Sequence, residues 1–194
     1  KDHLNAEIRQ HGLFFAPDLS TSNRATIGGM INTDASGQGS VRYGKTRDHV
    51  LNLKAVLLTG ETLETSLLSD DELNQLSRSS PEYRLGHALR DLHDTNQQAI
   101  DDSFPKLNRC LTGYDLKHVR TDDGKIDLNA VLCGSEGTLA LISEARINLE
   151  PLPTEVALVA VQYESFMDAL FDARELMTHG ATSIETVDSK ILNL

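Results

Sequence analysis

Residues 26–37 read Thr-Ile-Gly-Gly-Met-Ile-Asn-Thr-Asp-Ala-Ser-Gly, and the other motifs of the chain are placed relative to this stretch. Two adjacent glycines, Gly28 and Gly29, lack the Cβ atoms that would hold a ligand away from the backbone. The apolar pair Met30 and Ile31 predicts the opening of a helix, with the amides of Gly28, Gly29 and Met30 free to bind phosphate or ring-carbonyl oxygens. Because the stretch carries no basic residue, an anion here would be bound by backbone and hydroxyl groups. Taken alone, a Gly-Gly pair is more often an ordinary turn.

Further motifs, in a set order, make a ligand-binding role more specific than any lone glycine motif. The chain contains Ala16-Pro17-Asp18, Thr26-Ile27-Gly28-Gly29-Met30, Thr33-Asp34-Ala35-Ser36-Gly37, Tyr43-Gly44, Thr112-Gly113-Tyr114-Asp115-Leu116 and Gly134-Ser135-Glu136-Gly137-Thr138-Leu139. In this combination it resembles the FAD-linked oxidases of the vanillyl-alcohol oxidase and p-cresol methylhydroxylase superfamily, and within it the branch of D-lactate, glycolate and D-2-hydroxyglutarate dehydrogenases. Residues 104–116 are similar to the large bacterial D-2-hydroxyglutarate dehydrogenases that carry an iron–sulfur tail.

The resemblance implies an α+β fold in two parts. Residues 1–152 would form most of the second FAD-binding subdomain, a mixed sheet with flanking helices. Residues 153–194 would begin the cap, or substrate, domain. The first FAD-binding subdomain, with its glycine-rich pyrophosphate loop, would lie upstream of Lys1, so we expect this chain to be part of a larger protein and inactive by itself.

The resemblance also implies where FAD would be bound. Contacts with the flavin and its ribityl chain would come from the first glycine stretch, further contacts from the polar residues after it, and the backbone of Ile142 would bond the adenine edge. The chain departs from the family at Asp34, where Asn is usual, and at Ala140, where Gly is common; Asp34 would place a negative charge near the phosphates if it pointed inward. The predicted cofactor-binding residues are Pro17, Asp18, Thr26, Ile27, Gly28, Gly29, Thr33, Asp34, Ala35, Ser36, Glu136, Gly137 and Ile142.

The reaction implied by the resemblance is oxidation of a D-2-hydroxy acid, with hydride transfer to FAD and loss of the hydroxyl proton to a base. The substrate-binding residues of the family lie in the cap domain beyond Leu194, so no catalytic residue is assigned here. We expect Tyr114 to be packed, with its hydroxyl bonded to backbone. An iron–sulfur cluster would belong to another part of the full-length protein.

Composition and charge exclude several classes of protein. The formal net charge of −11 argues against nucleic acid and anionic membranes as partners, because both require a basic face. No apolar stretch is long enough to span a bilayer and no secretory signal is visible. The two cysteines, Cys110 and Cys133, lie far apart and form no metal-ligand pattern, so we predict no metal site in this chain and a reducing, cytoplasmic location.

Local patterns predict most elements. A helix is expected over residues 2–11 and another over 82–101, with His87 and His93 at its surface, and a hairpin is expected over 50–65. Residues 66–80 are expected to form a loop, and Arg42 and Arg47 to be solvated. In the strand predicted over 138–149, the side chains expected to face the core are Leu139, Leu141, Ala145 and Ile147. After Pro153 the pattern predicts a strand at 156–161, a helix from Phe166 to about Met177, and a strand at 181–187.

Two other classes of function remain open. One is a flavin-free binding or interaction domain that kept the fold and lost the site. The other is a related flavoenzyme with a different substrate, such as an alkylglycerone-phosphate synthase-like transferase. Flavin absorbance of the purified protein separates the first from an enzyme, and a panel of D-2-hydroxy acids separates the second.

Overall fold

The structure is a computed structural model that describes residues 1–107 and 113–192. Within these ranges the α-helices are α1 (Asp2–Ile8), α2 (Ile27–Asn32), α3 (Ser40–Tyr43), α4 (Asp70–Gln75), α5 (Pro81–Ser103), α6 (Asn129–Leu132), α7 (Phe166–Thr178) and α8 (Ser189–Leu192). Two 3₁₀ helices span Arg9–His11 and Thr46–His49. The strands are β1 (Leu13–Phe14), β2 (Val50–Leu57), β3 (Thr62–Glu64), β4 (Leu67–Leu68), β5 (Ile126–Asp127), β6 (Ala140–Ile147) and β7 (Glu150–Pro151). The fold is therefore a mixture of helices with small sheets.

An antiparallel sheet in the order β3-β2-β6 forms the centre of the fold. The predicted hairpin is confirmed, because β2 turns through residues 58–61 into β3. Buried residues of β2 and β3, namely Leu53, Ala55 and Leu63, join the core cluster beneath the sheet. Two shorter antiparallel pairs, β1 with β7 and β4 with β5, bring distant parts of the chain together.

A bulge in β6 overturns part of the predicted burial pattern. Lys54 pairs with Glu144 and Ala55 with Ile142, so Ser143 is the extra residue, and its Oγ donates to the carbonyl of Lys54 at 3.0 Å. An extra residue reverses the alternation of side chains along a strand. Consequently Ala140 is buried and Ile142 packs on the core, whereas Leu141, predicted to face inward, is 72% exposed. Ala145, also predicted inward, is exposed.

The long helix α5 is confirmed, and Ser80 caps it by accepting from the amide of Tyr83. His93, predicted to lie at the surface, is 7% exposed, and its Nδ1 lies 3.0 Å from Asp94 Oδ1. The helix packs through Gly86 against Leu73, which is fully buried.

Residues 66–80, predicted to be a loop, contain β4 and α4. Ser69 and Glu72 form a reciprocal capping box at the start of α4: the hydroxyl of Ser69 accepts from the amide of Glu72, and the Glu72 carboxylate accepts from the amide of Ser69. The S-x-x-E pattern is a recognised sign of a helix start. The polar, serine-rich composition of residues 66–80 nevertheless led to the prediction of a loop.

The strands predicted after Pro153 are not formed in the structure. In the described residues beyond β7, the chain forms α7 and α8 and no strand. The apolar run at 156–161 forms no helix or strand and is exposed, with Leu158 at 97%. A strand requires a hydrogen-bonding partner, and none of the described residues pairs with this run. The predicted helix is confirmed as α7, followed by Gly180 at positive φ.

Candidate functional site

The glycine stretch forms a short capped helix, which changes the role predicted for its amides. The helix begins at Ile27 rather than Met30, and Thr26 is its N-cap in extended conformation. Thr26 Oγ1 accepts from the amide of Gly29 at 3.0 Å, and the Thr26 carbonyl accepts from the amide of Met30. The prediction that the amides of Gly29 and Met30 are free donors is therefore wrong: both are used by the N-terminal turn of α2 itself.

The two glycines differ in the space around them. A Cβ atom built on Gly29 would lie 2.9 Å from Thr26 Oγ1, so Gly29 is needed for the cap. A Cβ atom built on Gly28 would meet no heavy atom of the described residues within 4 Å. Gly28 therefore leaves open space beside its backbone.

Asp34 leaves α2 in a left-handed conformation with φ of +44° and lies buried at 5% exposure. Its carboxylate forms an ion pair with Lys45 Nζ and accepts from the amide of Arg47 at 3.0 Å. The next residue, Ala35, accepts through its carbonyl from both the amide and the hydroxyl of Thr46, at 3.0 and 2.6 Å. A negative charge near the phosphates was expected if Asp34 pointed inward; Asp34 is buried, and Lys45 neutralises its charge within the protein.

The loop Gly134 to Gly137, which contains the predicted residues Glu136 and Gly137, is hydrogen-bonded to the end of α2. The amide of Gly134 donates to the carbonyl of Ile31 at 2.9 Å, and the amide of Glu136 donates to that of Asn32 at 2.8 Å. Carbonyl groups at a helix end otherwise lack partners, so these bonds complete α2 while fixing the loop. Glu136 has a φ of +54° and is exposed. These hydrogen bonds place the stretches 26–36 and 134–137, about 100 residues apart in the sequence, next to each other.

Pro17 and Asp18 lie outside any helix or strand, and the turn expected there begins at Ser20. Lys1 Nζ forms an ion pair of 2.7 Å with Asp18. A Cβ atom on Gly37 would overlap the carbonyl of Asp18, so the segment reaches the end of the glycine stretch. Ile142 lies on β6, at the edge of the central sheet, and packs against the same core cluster as Ile27.

A cavity of about 250 Å³ opens between these stretches. Three of the predicted cofactor-binding residues, Thr33, Asp34 and Glu136, line it. The other ten predicted residues do not. The remaining lining residues are Lys45, Arg47, Phe104, Pro105, Leu107, Gly113, Asp115, Lys117, His118, Cys133 and Gly134.

Arg47, predicted to be a solvated cation, is a central residue of this cavity. Its side chain is 18% exposed and forms an ion pair with Asp115. Asp115 also accepts from the amide of His118 at 3.2 Å and contacts His118 Nδ1 at 2.8 Å. Burial, together with the nearby charges of Arg47 and Lys117, lowers the pKa of His118 to about 4, so this histidine is neutral at pH 7. In the sequence, Asp115 stands out only as part of the Thr-Gly-Tyr-Asp-Leu motif, and nothing in its spacing from Arg47 indicates that the two residues pair.

The sequence also led to predictions about the environment of Tyr114 and about the two cysteines. Tyr114 is 46% exposed, and its hydroxyl contacts Thr138 Oγ1 at 2.8 Å, so the prediction of a packed tyrosine bonded to backbone is wrong. Burial raises the pKa of the Cys133 thiol to about 12. Cys110 lies outside the described residues. Within residues 1–107 and 113–192, no group of three or more His, Cys, Asp or Glu could hold a metal ion, and no helix there is long and apolar enough to cross a membrane.

The sequence was compared with known families and curated proteins. Residues 2–66 match the family described as an FAD binding domain. The whole chain is 57% identical to D-2-hydroxyglutarate dehydrogenase of Pseudomonas putida and 53% identical to that of Escherichia coli, and it covers 19% of each of these relatives. A D-lactate dehydrogenase of Archaeoglobus fulgidus is 29% identical over 83% of the chain and 25% of the relative. The chain therefore spans about a fifth of the length of the first two. These matches confirm the resemblance, inferred from the motifs, to FAD-linked oxidoreductases of the D-2-hydroxyglutarate dehydrogenase type.

Proposed function

We propose that the full-length protein is an FAD-dependent dehydrogenase that oxidises a D-2-hydroxy acid, of the D-2-hydroxyglutarate or D-lactate type, to the 2-oxo acid. The observation that carries this proposal is the 57% identity to a D-2-hydroxyglutarate dehydrogenase across the whole chain, together with the FAD binding domain match at residues 2–66. Bound FAD would supply the hydride acceptor. The substrate is a small 2-hydroxy acid, and the catalytic base belongs to another part of the protein.

The residues of this chain would hold the cofactor rather than react. Thr26, Ile27, Gly28 and Gly29 would approach the flavin and its ribityl chain, supported by the open space beside Gly28. Among the described residues, Asn32 Oδ1 on the same helix is buried with no hydrogen-bond partner, which is the kind of acceptor a ribityl hydroxyl could satisfy.

The later stretches would contact the rest of FAD. Thr33, Asp34, Ala35 and Ser36 would line the site beside the cavity, as would Glu136 and Gly137. The proposed backbone contact of Ile142 with adenine draws support from the position of β6 at the sheet edge, where some backbone groups face away from β2. Pro17 and Asp18 would flank the site through the contact with Gly37.

We further propose that residues 1–152 form the second FAD-binding subdomain and that residues 153–194 begin a cap domain. The pairing of β1 with β7 supports a boundary near Leu152, because it closes the first part of the chain on itself. The exposed apolar side chains at 156–161 support a separate unit after it. We still predict that the protein is located in the cytoplasm.

The test uses the purified full-length protein. We expect flavin absorbance bands and reduction of an artificial electron acceptor with D-2-hydroxyglutarate or D-lactate, and not with the L-enantiomers. Absence of flavin after reconstitution with FAD would favour the flavin-free binding domain. Bound flavin without oxidation of any D-2-hydroxy acid would favour a related flavoenzyme, such as a transferase of the alkylglycerone-phosphate synthase kind.

A further inference from the structure

Four charged side chains form a row of alternating sign along the wall of the cavity. Lys45 Nζ pairs with Asp34 Oδ2, the same carboxylate lies 3.9 Å from Arg47 Nε, and the far end of the Arg47 guanidinium pairs with Asp115. His118, neutral at pH 7, ends the row: its Nδ1 contacts Asp115, and its Nε2 lies 3.3 Å from Arg47. We refer to Lys45, Asp34, Arg47 and Asp115 as the ion row.

The ion row is largely removed from water. Its side chains are 3%, 7%, 18% and 14% exposed, in the order Lys45, Asp34, Arg47, Asp115. Its two positive and two negative charges sum to zero. Buried charges are tolerated when they are paired and hydrogen-bonded, and removing one partner leaves the other in a costly environment. Each member of the row is therefore required by its neighbours.

The row connects three separate parts of the chain. Asp34 belongs to the turn after α2, Lys45 and Arg47 flank the start of the second 3₁₀ helix, and Asp115 lies about 70 residues further on. Asp34 is additionally constrained, because its backbone is left-handed and a Cβ atom built on Gly134 would lie 3.4 Å from the Cβ atom of Asp34. Aspartate and asparagine are among the few residues other than glycine that adopt this conformation readily.

The row links two groups of residues that line the cavity. Thr33 and Asp34 line one wall, and the Gly113–His118 segment lines another. The second wall is held on its other side by the contact of Tyr114 with Thr138 at 2.8 Å. Without the Arg47–Asp115 pair, that segment would lose its charged link to the turn after α2.

Resting on the proposed function, we propose that Asp34 is a positioning residue of the FAD site. By neutralising Lys45 and orienting Arg47, it holds the turn after α2 and the Gly113–His118 segment at the spacing that FAD requires. Its carboxylate is already engaged by Lys45 and by the amide of Arg47, so its effect on FAD passes through these two residues. Asparagine, the residue usual at this position in the resembling family, would keep the backbone conformation and the bond from the Arg47 amide but would remove the negative charge that pairs with Lys45 Nζ.

The experiment compares four full-length proteins: wild type, Asp34→Asn, the double variant Asp34→Asn with Lys45→Gln, and Asp122→Asn as a control in the exposed turn at 121–125. Each apoprotein is titrated with FAD while flavin fluorescence is followed, and its apo Tm is measured separately. We expect Asp34→Asn to raise the Kd for FAD by about tenfold or more and to alter the visible circular dichroism of bound flavin. The double variant should return Kd to within about threefold of wild type, because it removes both charges of the Asp34–Lys45 pair together.

The outcomes separate this inference from the proposed function. Wild-type protein that binds FAD, with Asp34→Asn equal to it in Kd, would overturn the positioning role. A lower apo Tm with unchanged Kd would also overturn it, by showing that the row is structural only. If Asp34→Asn does not fold, the soluble double variant and Asp115→Asn decide: Asp115→Asn should weaken FAD binding, and an unchanged Kd would refute the proposal. A wild-type protein that binds no FAD would remove the proposed function itself, and this inference with it.

Discussion

Substituting Gly28 by alanine should move protein stability and cofactor affinity in opposite directions. In the structure a Cβ atom at this position meets nothing within 4 Å among the described residues, and the backbone φ is not in the left-handed region. Alanine is favoured over glycine in helices by about 0.5–1 kcal/mol. We therefore expect the apoprotein to be stabilised by about 0.5 kcal/mol, since the residue lies in the first turn of α2.

The effect on FAD follows from the same open space. If the flavin or its ribityl chain packs on the Gly28 backbone, the added methyl group takes volume that the ligand uses. Overfilling a well-packed contact costs about 1–3 kcal/mol, and 2 kcal/mol corresponds to a Kd about 30-fold higher. Gly29→Ala is less informative, because its Cβ would press on Thr26 Oγ1 at 2.9 Å whether or not FAD is bound.

The assay is FAD titration of the apoprotein by flavin fluorescence, with thermal unfolding of the same samples. Gln97→Ala, at an exposed position on α5, is the control for a helix substitution far from the glycine stretch. A stabilised Gly28→Ala protein that binds FAD as tightly as wild type would refute the placement of the cofactor at Gly28. Loss of stability would refute the statement that the Cβ position is free.

Three further predictions concern other parts of the chain. Hydrogen bonds from Arg120 lower the pKa of Asp94 to about 2. Arg120→Met should therefore reduce the free energy of unfolding by about 1 kcal/mol near pH 6, and this difference from wild type should fade as the pH drops from 4 to 2. A difference that stays constant in acid titrations would contradict this prediction. Thr65→Val removes the hydroxyl that accepts from the buried Leu53 amide at 2.7 Å and should cost about 1–3 kcal/mol in chemical denaturation, whereas a neutral result would contradict the bond. Cys133, buried and with a pKa of about 12, should resist alkylation by iodoacetamide at pH 8 until the protein unfolds; peptide mass spectrometry showing rapid native labelling would refute this.

Local patterns predicted elements well where neighbouring residues decide the outcome. The apolar spacing of α5 and the turn between β2 and β3 both depend on residues within a few positions of each other. The burial of β6 was mispredicted for a different reason. Its bulge at Ser143 depends on pairing with β2, almost 90 residues earlier, and alternation within β6 alone contains no sign of it.

The candidate site shows the same division. The motifs at 26–37 and 134–137 were found from residue order, and the tertiary structure joined them through the bonds of Gly134 and Glu136 to the end of α2. Arg47 was taken for a solvated cation, because an arginine in isolation usually is one. Its partner Asp115 is 68 residues away, and no spacing rule connects the two.

By itself, the sequence determined the amphipathic helices, the hairpin and the resemblance to FAD-linked oxidoreductases, because each of these follows from short-range geometry or from the order of motifs along the chain. Only the tertiary structure decided that Asp34 is neutralised, that Arg47 is partly buried and paired with Asp115, and that the run at 156–161 has no strand partner among the described residues. The physical reason is that charge compensation, burial and strand pairing are relations between distant residues. Their free energies depend on which surfaces the fold brings within a few ångströms of each other, and that is not a property of any one stretch.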